Sequence, residues 1–417
     1  MPDIYVEGTY KLNGKIKIQG SKNAVLPIIA ATVLVDGKSV IKNCPDLLDV
    51  KASMKILKHL GAKCRFFENT LMIDSTGVSK SCVPENLMRE MRSSSLFLGA
   101  ILARTGSAQI SSPGGCELGP RPIDLHIKAL KSLGALVNEE GGNIRFSLPD
   151  GLKGNEIHLS FPSVGATENA ILAAALAKGT TVIYNAAREP EIVDLANFIN
   201  SCGRKIVGAG NDKVTVLGVK KLNGAEYSVA FDRIVAASYI SAAAVTSGDI
   251  VMSGTDKSQL SSVISVFNEA GCRFGYSNDE IRVTAPKKLG SVSTVRSLTY
   301  PAFPTDAGPM FISAMSYADG TTIFVENIFQ NRFRYIDELK RLGASVKTEG
   351  KVAVIVGKSA LYGANCVATD LRGGAALVVA GLGATGITKI GEIHHIKRGY
   401  EDIVRDLSLL GAKIKEE

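Results

Sequence analysis

The chain has no tryptophan, only five histidines in 417 residues, and seven cysteines, an odd number with no CxxC pair. Each shortage excludes something. Without tryptophan, and with 42 glycines, the sequence suggests tight turns and close packing of elements rather than an aromatic-lined pocket. His59, His126, His158, His394 and His395 make no ligand-spaced set with Cys or Asp, so no metal is expected, nor any other cofactor. Neighbours on a strand point to opposite faces, so His394 and His395 are not expected to chelate together. Scattered cysteines indicate unpaired thiols in a reducing compartment, hence a cytoplasmic protein. Apolar runs such as Ala24 to Val35 are too short to span a bilayer, and the start, Met-Pro-Asp-Ile-Tyr, lacks a basic or apolar leader. Neither membrane insertion nor secretion is expected. No basic block is interleaved with aromatics, so no nucleic-acid partner is expected either.

What is present is an ordinary globular composition, 45% hydrophobic and 21% charged, long enough for two or three domains. Lys and Arg exceed Asp and Glu by 48 to 40, a sign that suits cations gathered around a small phosphorylated substrate.

Internal repetition is the strongest pattern. An apolar helix ending in glycine and followed by a strand recurs with Gly61, Gly134, Gly203, Gly271, Gly343 and Gly411, at separations of 73, 69, 68, 72 and 68 residues. Glycine there fits a left-handed C-terminal cap. A second signature alternates with it, an Ala-rich helix closed near Gly37, Gly106, Gly179, Gly248, Gly320 or Gly386 and followed by a β-branched strand. Helices so apolar all round belong inside. The expectation is an α/β fold of six βαβαββ-like units with helices inside and sheets outside. Three units form a first domain over 21–229 and three a second over 230–417, with the N-terminal strand 1–20 returning to the second.

The residues before the Ala-rich helices are small or polar, as at Ser21-Lys22-Asn23, Ser163-Val164-Gly165 and Asp370-Leu371-Arg372. They read as N-caps, and a helix start bearing Lys or Arg is an anion site. Any one of them is more often plain capping. The coincidence of Lys22, Arg92, Arg121, Arg332, Arg372 and Arg398 at element starts is what points to polyanionic ligands. Asp306, before another such helix, is open between a cap and a chemical role. Between Ser111 and His126 lie three glycines and three prolines, which no helix or central strand tolerates, so this is a loop. It carries Cys116 with Arg121 five residues on, and a nearby cation favours a reactive thiolate. Pro122 then opens a helical period through Ile123, Ile127, Leu130 and Leu133. Such a loop suits a lid over an anionic substrate.

Eight stretches together resemble one family. They are Gly20-Ser-Lys-Asn-Ala24, Pro113-Gly-Gly-Cys-Glu-Leu-Gly-Pro-Arg-Pro-Ile-Asp-Leu-His126, Ser163-Val-Gly-Ala-Thr167, Arg188-Glu-Pro-Glu-Ile192, Pro301-Ala-Phe-Pro-Thr-Asp306, Glu326-Asn-Ile-Phe-Gln-Asn-Arg-Phe333, Ala368-Thr-Asp-Leu-Arg372 and Ile396-Lys-Arg-Gly-Tyr400. With them the chain resembles, end to end, the UDP-N-acetylglucosamine enolpyruvyl transferases of the EPSP synthase superfamily. That resemblance implies an inside-out α/β barrel and the first committed step of peptidoglycan synthesis. The 3′-hydroxyl of UDP-N-acetylglucosamine adds to phosphoenolpyruvate, and phosphate then leaves. It implies Cys116 as proton donor and target of the epoxide fosfomycin, Asp306 as base or orienting group, and Lys22, Arg121 and Arg398 as the phosphate clamp. Arg92, Arg332 and Arg372 add positive charge. Asn23, Arg121, Pro122, Ile123, Asp124, Leu125, Ser163, Val164, Gly165, Asp306 and Ile328 resemble the sugar-nucleotide contacts.

In one place the chain departs from the pattern. Relatives often carry Lys two residues before the Ser of the Ser-Val-Gly motif, within reach of the diphosphate, whereas this chain has Phe161. A weaker or rearranged diphosphate site is expected, not a different substrate. Rival readings are a 5-enolpyruvylshikimate-3-phosphate synthase-like transferase, against which the PGGC lid argues, and a non-catalytic sugar-nucleotide-binding regulator. The latter should have lost Cys116, Asp306 or Lys22, and all three are retained.

Overall fold

The computed structural model describes residues 2–90, 94–111, 123–203 and 205–417. The described chain divides into two compact units, one of residues 20–111 and 123–230, the other of residues 2–19 and 231–417.

One sheet plan recurs throughout. Glu156–His158 runs parallel to Thr180–Tyr184, which pairs antiparallel with Lys213–Leu217, itself antiparallel to Ile206–Val207. Thr294–Ser297, Thr321–Glu326, Val352–Val356 and Ser345–Glu349 repeat this order. Two sheets of the C-terminal unit borrow strands from the start of the chain. Asn13–Lys17 lies parallel to Asp249–Ser253, and Ile4–Glu7 runs between Ile387–Gly391 and Lys413–Glu416. In the N-terminal unit Glu226–Ser228 returns to pair with Lys38–Lys42, closing the third repeat onto the first. The sheet of Ser107–Ser111 is three-stranded, its parallel neighbour reduced to a bridge between Cys82 and Gln109. The third and fifth repeats thus read strand, helix, strand, helix, strand, strand along the chain, and the others complete the plan with a borrowed, returning or bridging strand. Among the described residues no sheet closes into a barrel.

The Ala-rich segments form the core helices Lys22–Ala31, Phe97–Thr105, Val164–Ala174, Arg233–Val245, Gly308–Met315 and Leu371–Gly383. Nearly every residue of Arg233–Val245 is buried, because small side chains let helices approach on all sides. At Gly99 an added Cβ would lie 2.5 Å from the carbonyl oxygen of Asn169, so a side chain there would drive two core helices apart. The Asn169 side chain reinforces the crossing, accepting from Gly99 N at 2.7 Å and donating to Ser95 O at 3.1 Å.

The six glycines of the first signature all adopt positive φ, from 90° at Gly411 to 111° at Gly61, as left-handed caps require. The second signature holds at five of its six glycines. At the exception the left-handed residue is Ser247 instead, while Gly248 is crowded by the backbone of Leu12 and Ala243.

Candidate functional site

Pro304-Thr305-Asp306 forms a tight turn, Thr305–Ala307, leading into the core helix Gly308–Met315. Asp306 does not cap that helix. Its Oδ1 accepts from Arg332 Nη2 at 2.5 Å, and its Oδ2 faces Arg372, with Nη2 at 3.3 Å and Nε at 3.4 Å. Asp306 is 26% exposed, while the Arg332 and Arg372 side chains are 3% and 2% exposed. A buried guanidinium with no countercharge costs several kcal/mol, so this carboxylate is what permits both cations to sit here. Arg372 enters from the first turn of Leu371–Gly383, whose N-cap Asp370 accepts from the Arg372 and Gly373 amides at 3.0 Å. Burial opposes the charge of Arg372, but Asp306, Tyr400 and Asp232 outweigh it and raise its pKa.

Further contacts fix the surroundings. Arg372 Nη1 reaches Tyr400 Oη at 3.5 Å, and that hydroxyl pairs with Ser238 Oγ at 2.6 Å. The Gln19 side chain donates to Gly399 O at 3.2 Å and accepts from Glu401 N at 2.8 Å. Together they hold the end of the turn Ile396–Arg398, which carries Arg398. Ile328 follows the strand Thr321–Glu326, and its amide donates to Glu326 Oε1 at 2.8 Å. Beneath lies a packed group of rings, Phe303, Phe311 and Phe324, with centroids 5.4 to 6.0 Å apart.

In the N-terminal unit Lys22 is the first residue of its helix, and Ser21 Oγ caps that helix by accepting from Ala24 N at 3.3 Å. Lys22 Nζ lies 3.0 Å from the buried carboxylate of Asp49. Asn23 follows, half-buried. Ser163 caps Val164–Ala174, accepting from Ala166 N at 3.4 Å, so Val164 and Gly165 form its first turn. Ile123 is buried and Asp124 exposed where Asp124–Ser132 begins, with Leu125 between burial and exposure. This start meets the other through His126, since an added Cβ on Gly165 would lie 2.9 Å from His126 Nε2. Burial pushes the His126 imidazole down to about 4 against the opposing pull of Asp124, so it is neutral near pH 7. Close by in sequence, burial raises the Glu168 carboxyl well above the usual range, and Glu191 and Glu189 add to the shift.

Of the residues singled out in the sequence, Asp306, Arg332 and Arg372 are in direct contact. Ile328 and Arg398 are tied to that group through Glu326 and Tyr400. Lys22 is paired with Asp49, and Ser163, Val164 and Gly165 lie beside the 123–125 helix start. Arg92, Cys116, Arg121 and Pro122 lie outside the described residues. Asp49 and Gln19 follow no motif spacing and give no signal in the sequence, whereas Thr305, Glu326 and Tyr400 stand inside quoted stretches without a role being assigned to them. The sequence reading also placed His394 and His395 on a strand. They occupy a turn after Ile387–Gly391, with ring centroids 4.0 Å apart, because Glu392 takes positive φ and ends the strand. Among the described residues no group of three or more His, Cys, Asp or Glu could hold a metal. Among the same residues no helix is long and apolar enough to cross a membrane.

Residues 6–407 match the EPSP synthase (3-phosphoshikimate 1-carboxyvinyltransferase) family. The chain is 49% identical to UDP-N-acetylglucosamine 1-carboxyvinyltransferase 2 of Caldanaerobacter subterraneus subsp. tengcongensis, over 98% of each chain. It is 45% identical to UDP-N-acetylglucosamine 1-carboxyvinyltransferase 1 of Carboxydothermus hydrogenoformans, over 100% of this chain and 98% of that one. Among solved structures, the enolpyruvyl transferase NikO from Streptomyces tendae superimposes with a TM-score of 0.89 at 23% identity, covering 100% of this chain and 99% of the other. EPSP synthase from Acinetobacter baumannii does so at 0.77 and 18%, covering all of both chains. At those identities the structures speak for the fold, which is that of the enolpyruvyl transferases. The full-length sequence relatives settle the rest: the chain is an enzyme and belongs to the UDP-N-acetylglucosamine 1-carboxyvinyltransferase branch of the EPSP synthase family.

Proposed function

We propose that the protein transfers the enolpyruvyl group of phosphoenolpyruvate to the 3′-hydroxyl of UDP-N-acetylglucosamine, releasing phosphate, in the cytosol. This is the first committed step of peptidoglycan synthesis. The observation that carries the reading is the Asp306 carboxylate, partly open to solvent and gripped from within by Arg332 and Arg372. A carboxylate aimed by two fixed guanidinium groups suits the reception of a hydroxyl proton, and buried cations beside it suit an anionic cosubstrate. In the addition the hydroxyl oxygen bonds to C2 of phosphoenolpyruvate, its proton passes to Asp306, and Cys116 protonates C3. In the elimination C3 gives a proton back to the Cys116 thiolate that the addition left, the C2–O bond to phosphate breaks, the departing phosphate takes up the proton held by Asp306, and the enolpyruvyl ether forms. Lys22, Arg121 and Arg398 take the phosphate, while Arg92, Arg332 and Arg372 supply the remaining positive charge. Asn23, Arg121 to Leu125, Ser163 to Gly165 and Ile328 hold the sugar nucleotide.

Phosphate release is the test. Purified protein with phosphoenolpyruvate should release phosphate with UDP-N-acetylglucosamine and none with shikimate 3-phosphate. Cys116→Ser should nearly abolish the release. Turnover on shikimate 3-phosphate alone would transfer the chain to the sister activity, and no turnover on either would leave a binding protein.

A further inference from the structure

Glu326 ends the strand Thr321–Glu326 and is 1% exposed. Among the described residues it has no Lys or Arg within ion-pair distance; hydrogen bonds alone compensate its carboxylate. Oε1 accepts from the Ile328 amide at 2.8 Å and the Phe329 amide at 3.0 Å, which sets the turn after the strand. Oε2 accepts from Thr305 Oγ1 at 2.8 Å. Thr305 is in turn held from its other side, since its carbonyl accepts from Arg332 Nη2 at 3.0 Å, and the same nitrogen grips Asp306. The bonds therefore link Glu326, Thr305, Arg332 and Asp306 in one chain. One oxygen of a buried carboxylate shapes the turn that carries Ile328, and the other fixes the residue before Asp306.

The geometry points to Glu326 as a positioning residue that, through Thr305, couples the 327–329 turn to the aim of Asp306. Ordering of that turn by the sugar nucleotide would be felt at the carboxylate that receives the hydroxyl proton. A buried acceptor with three donors has little freedom to re-aim, so displacing one end of this chain displaces the other. The inference rests on the enolpyruvyl-transfer reading.

The test uses the full chain with phosphoenolpyruvate and UDP-N-acetylglucosamine. Thr305→Val removes only the hydroxyl and leaves the turn bonds of Glu326 in place. It should lower kcat about tenfold, the scale of one buried hydrogen bond, with KM for the sugar nucleotide nearly unchanged and Tm lowered by a few degrees, since Oε2 loses its donor. Thr305→Ser should restore turnover. Glu326→Gln keeps an acceptor for the two amides but cannot satisfy Thr305 with the same oxygen pair, and should lower kcat similarly. The double variant should be no worse than either single one, since both break one link. Wild-type kcat in Thr305→Val, losses that multiply in the double variant, or failure of Thr305→Ser would each overturn the coupling. A wild-type chain that releases no phosphate fails the reading itself, and the inference with it; an active wild type beside an unimpaired Thr305→Val fails the inference alone.

Discussion

The two units share one sheet plan and both hold an ion pair near a core-helix start, Lys22 with Asp49 in one and Asp306 with two arginines in the other, yet they differ in what surrounds their remaining buried groups. In the C-terminal unit the three core helices pack on one another, and Asp306, just before one of them, pairs with Arg332 and with Arg372 in the first turn of another. In the N-terminal unit the first core helix packs chiefly on Pro190–Ser201, and desolvation dominates the buried His126 and Glu168. His126 is neutral near pH 7, and the Glu168 carboxyl resists ionisation. A fold plan therefore fixes where helix starts lie, not whether the groups there carry charge.

The comparison breaks hardest at Asp306. Asp306→Asn leaves two deeply buried guanidinium groups without their carboxylate and removes the proposed proton acceptor. We expect kcat to fall by about 10²- to 10⁴-fold, the usual range for a lost general base. Loss of one partner from a buried ion pair should also destabilise the C-terminal unit by about 3–5 kcal/mol. Phosphate-release kinetics and urea unfolding measure the two effects. A fully active, fully stable variant would show that pairing is incidental there.

The next largest effect belongs to the N-terminal unit and appears in acid. The imidazole of His126 titrates at about 4 in the fold and at 6.5 when unfolded. Between those values the unfolded chain binds a proton that the folded chain refuses. Stability is therefore intact above pH 6.5 and drains away as pH falls towards 4, by on the order of 3 kcal/mol in total. His126→Gln has no such titration, so its unfolding free energy should hold across that window while the wild type loses ground. Parallel losses in both proteins would acquit the imidazole.

Glu168 sharpens the same contrast with the opposite sign. Its folded pKa is raised, so its cost is absent below the ordinary carboxylate value near 4.5 and grows as pH rises above it. Glu168→Gln should raise Tm at pH 7 to 8 and leave it unchanged near pH 4. A stabilisation independent of pH would point to packing instead.

How much of this could be read from the sequence follows from what kind of rule each feature obeys. The repeat was legible because a left-handed cap demands glycine, and six such caps stand at near-constant spacing. Burial of the Ala-rich helices followed from their lack of a polar face. Arg372 was legible as a cation at a helix start, whereas Arg332 lies in a turn four residues before the helix Ile336–Arg341, and their shared partner was not legible, since Asp306 could have capped its own helix. Asp49 and Gln19 were invisible because each acts across a long sequence separation, Gln19 on Gly399 and Glu401 for example, and the role of Thr305 was hidden for the same reason although its stretch was in view. The strand expected at His394 and His395 failed because nothing local announces that Glu392 turns left-handed.

The smallest expected effect concerns Phe161, where the family pattern often has Lys. The ring is 48% exposed, two residues before the Ser163 cap, and its carbonyl accepts from Ser163 N at 2.7 Å. The backbone bond survives any side chain, so Phe161→Lys should leave the helix start intact and set one solvated cation beside it. A charge this exposed contributes about 0.2–1 kcal/mol, so KM for the sugar nucleotide should fall by at most about fivefold, with kcat unchanged. The gain should vanish in high salt, because an exposed pair is screened within a Debye length of about 10 Å at 0.1 M. An unchanged KM at low salt would mean that the N-terminal unit meets the diphosphate from somewhere other than this helix start. Its difference from the C-terminal unit would then extend from how charge is buried to where charge is used.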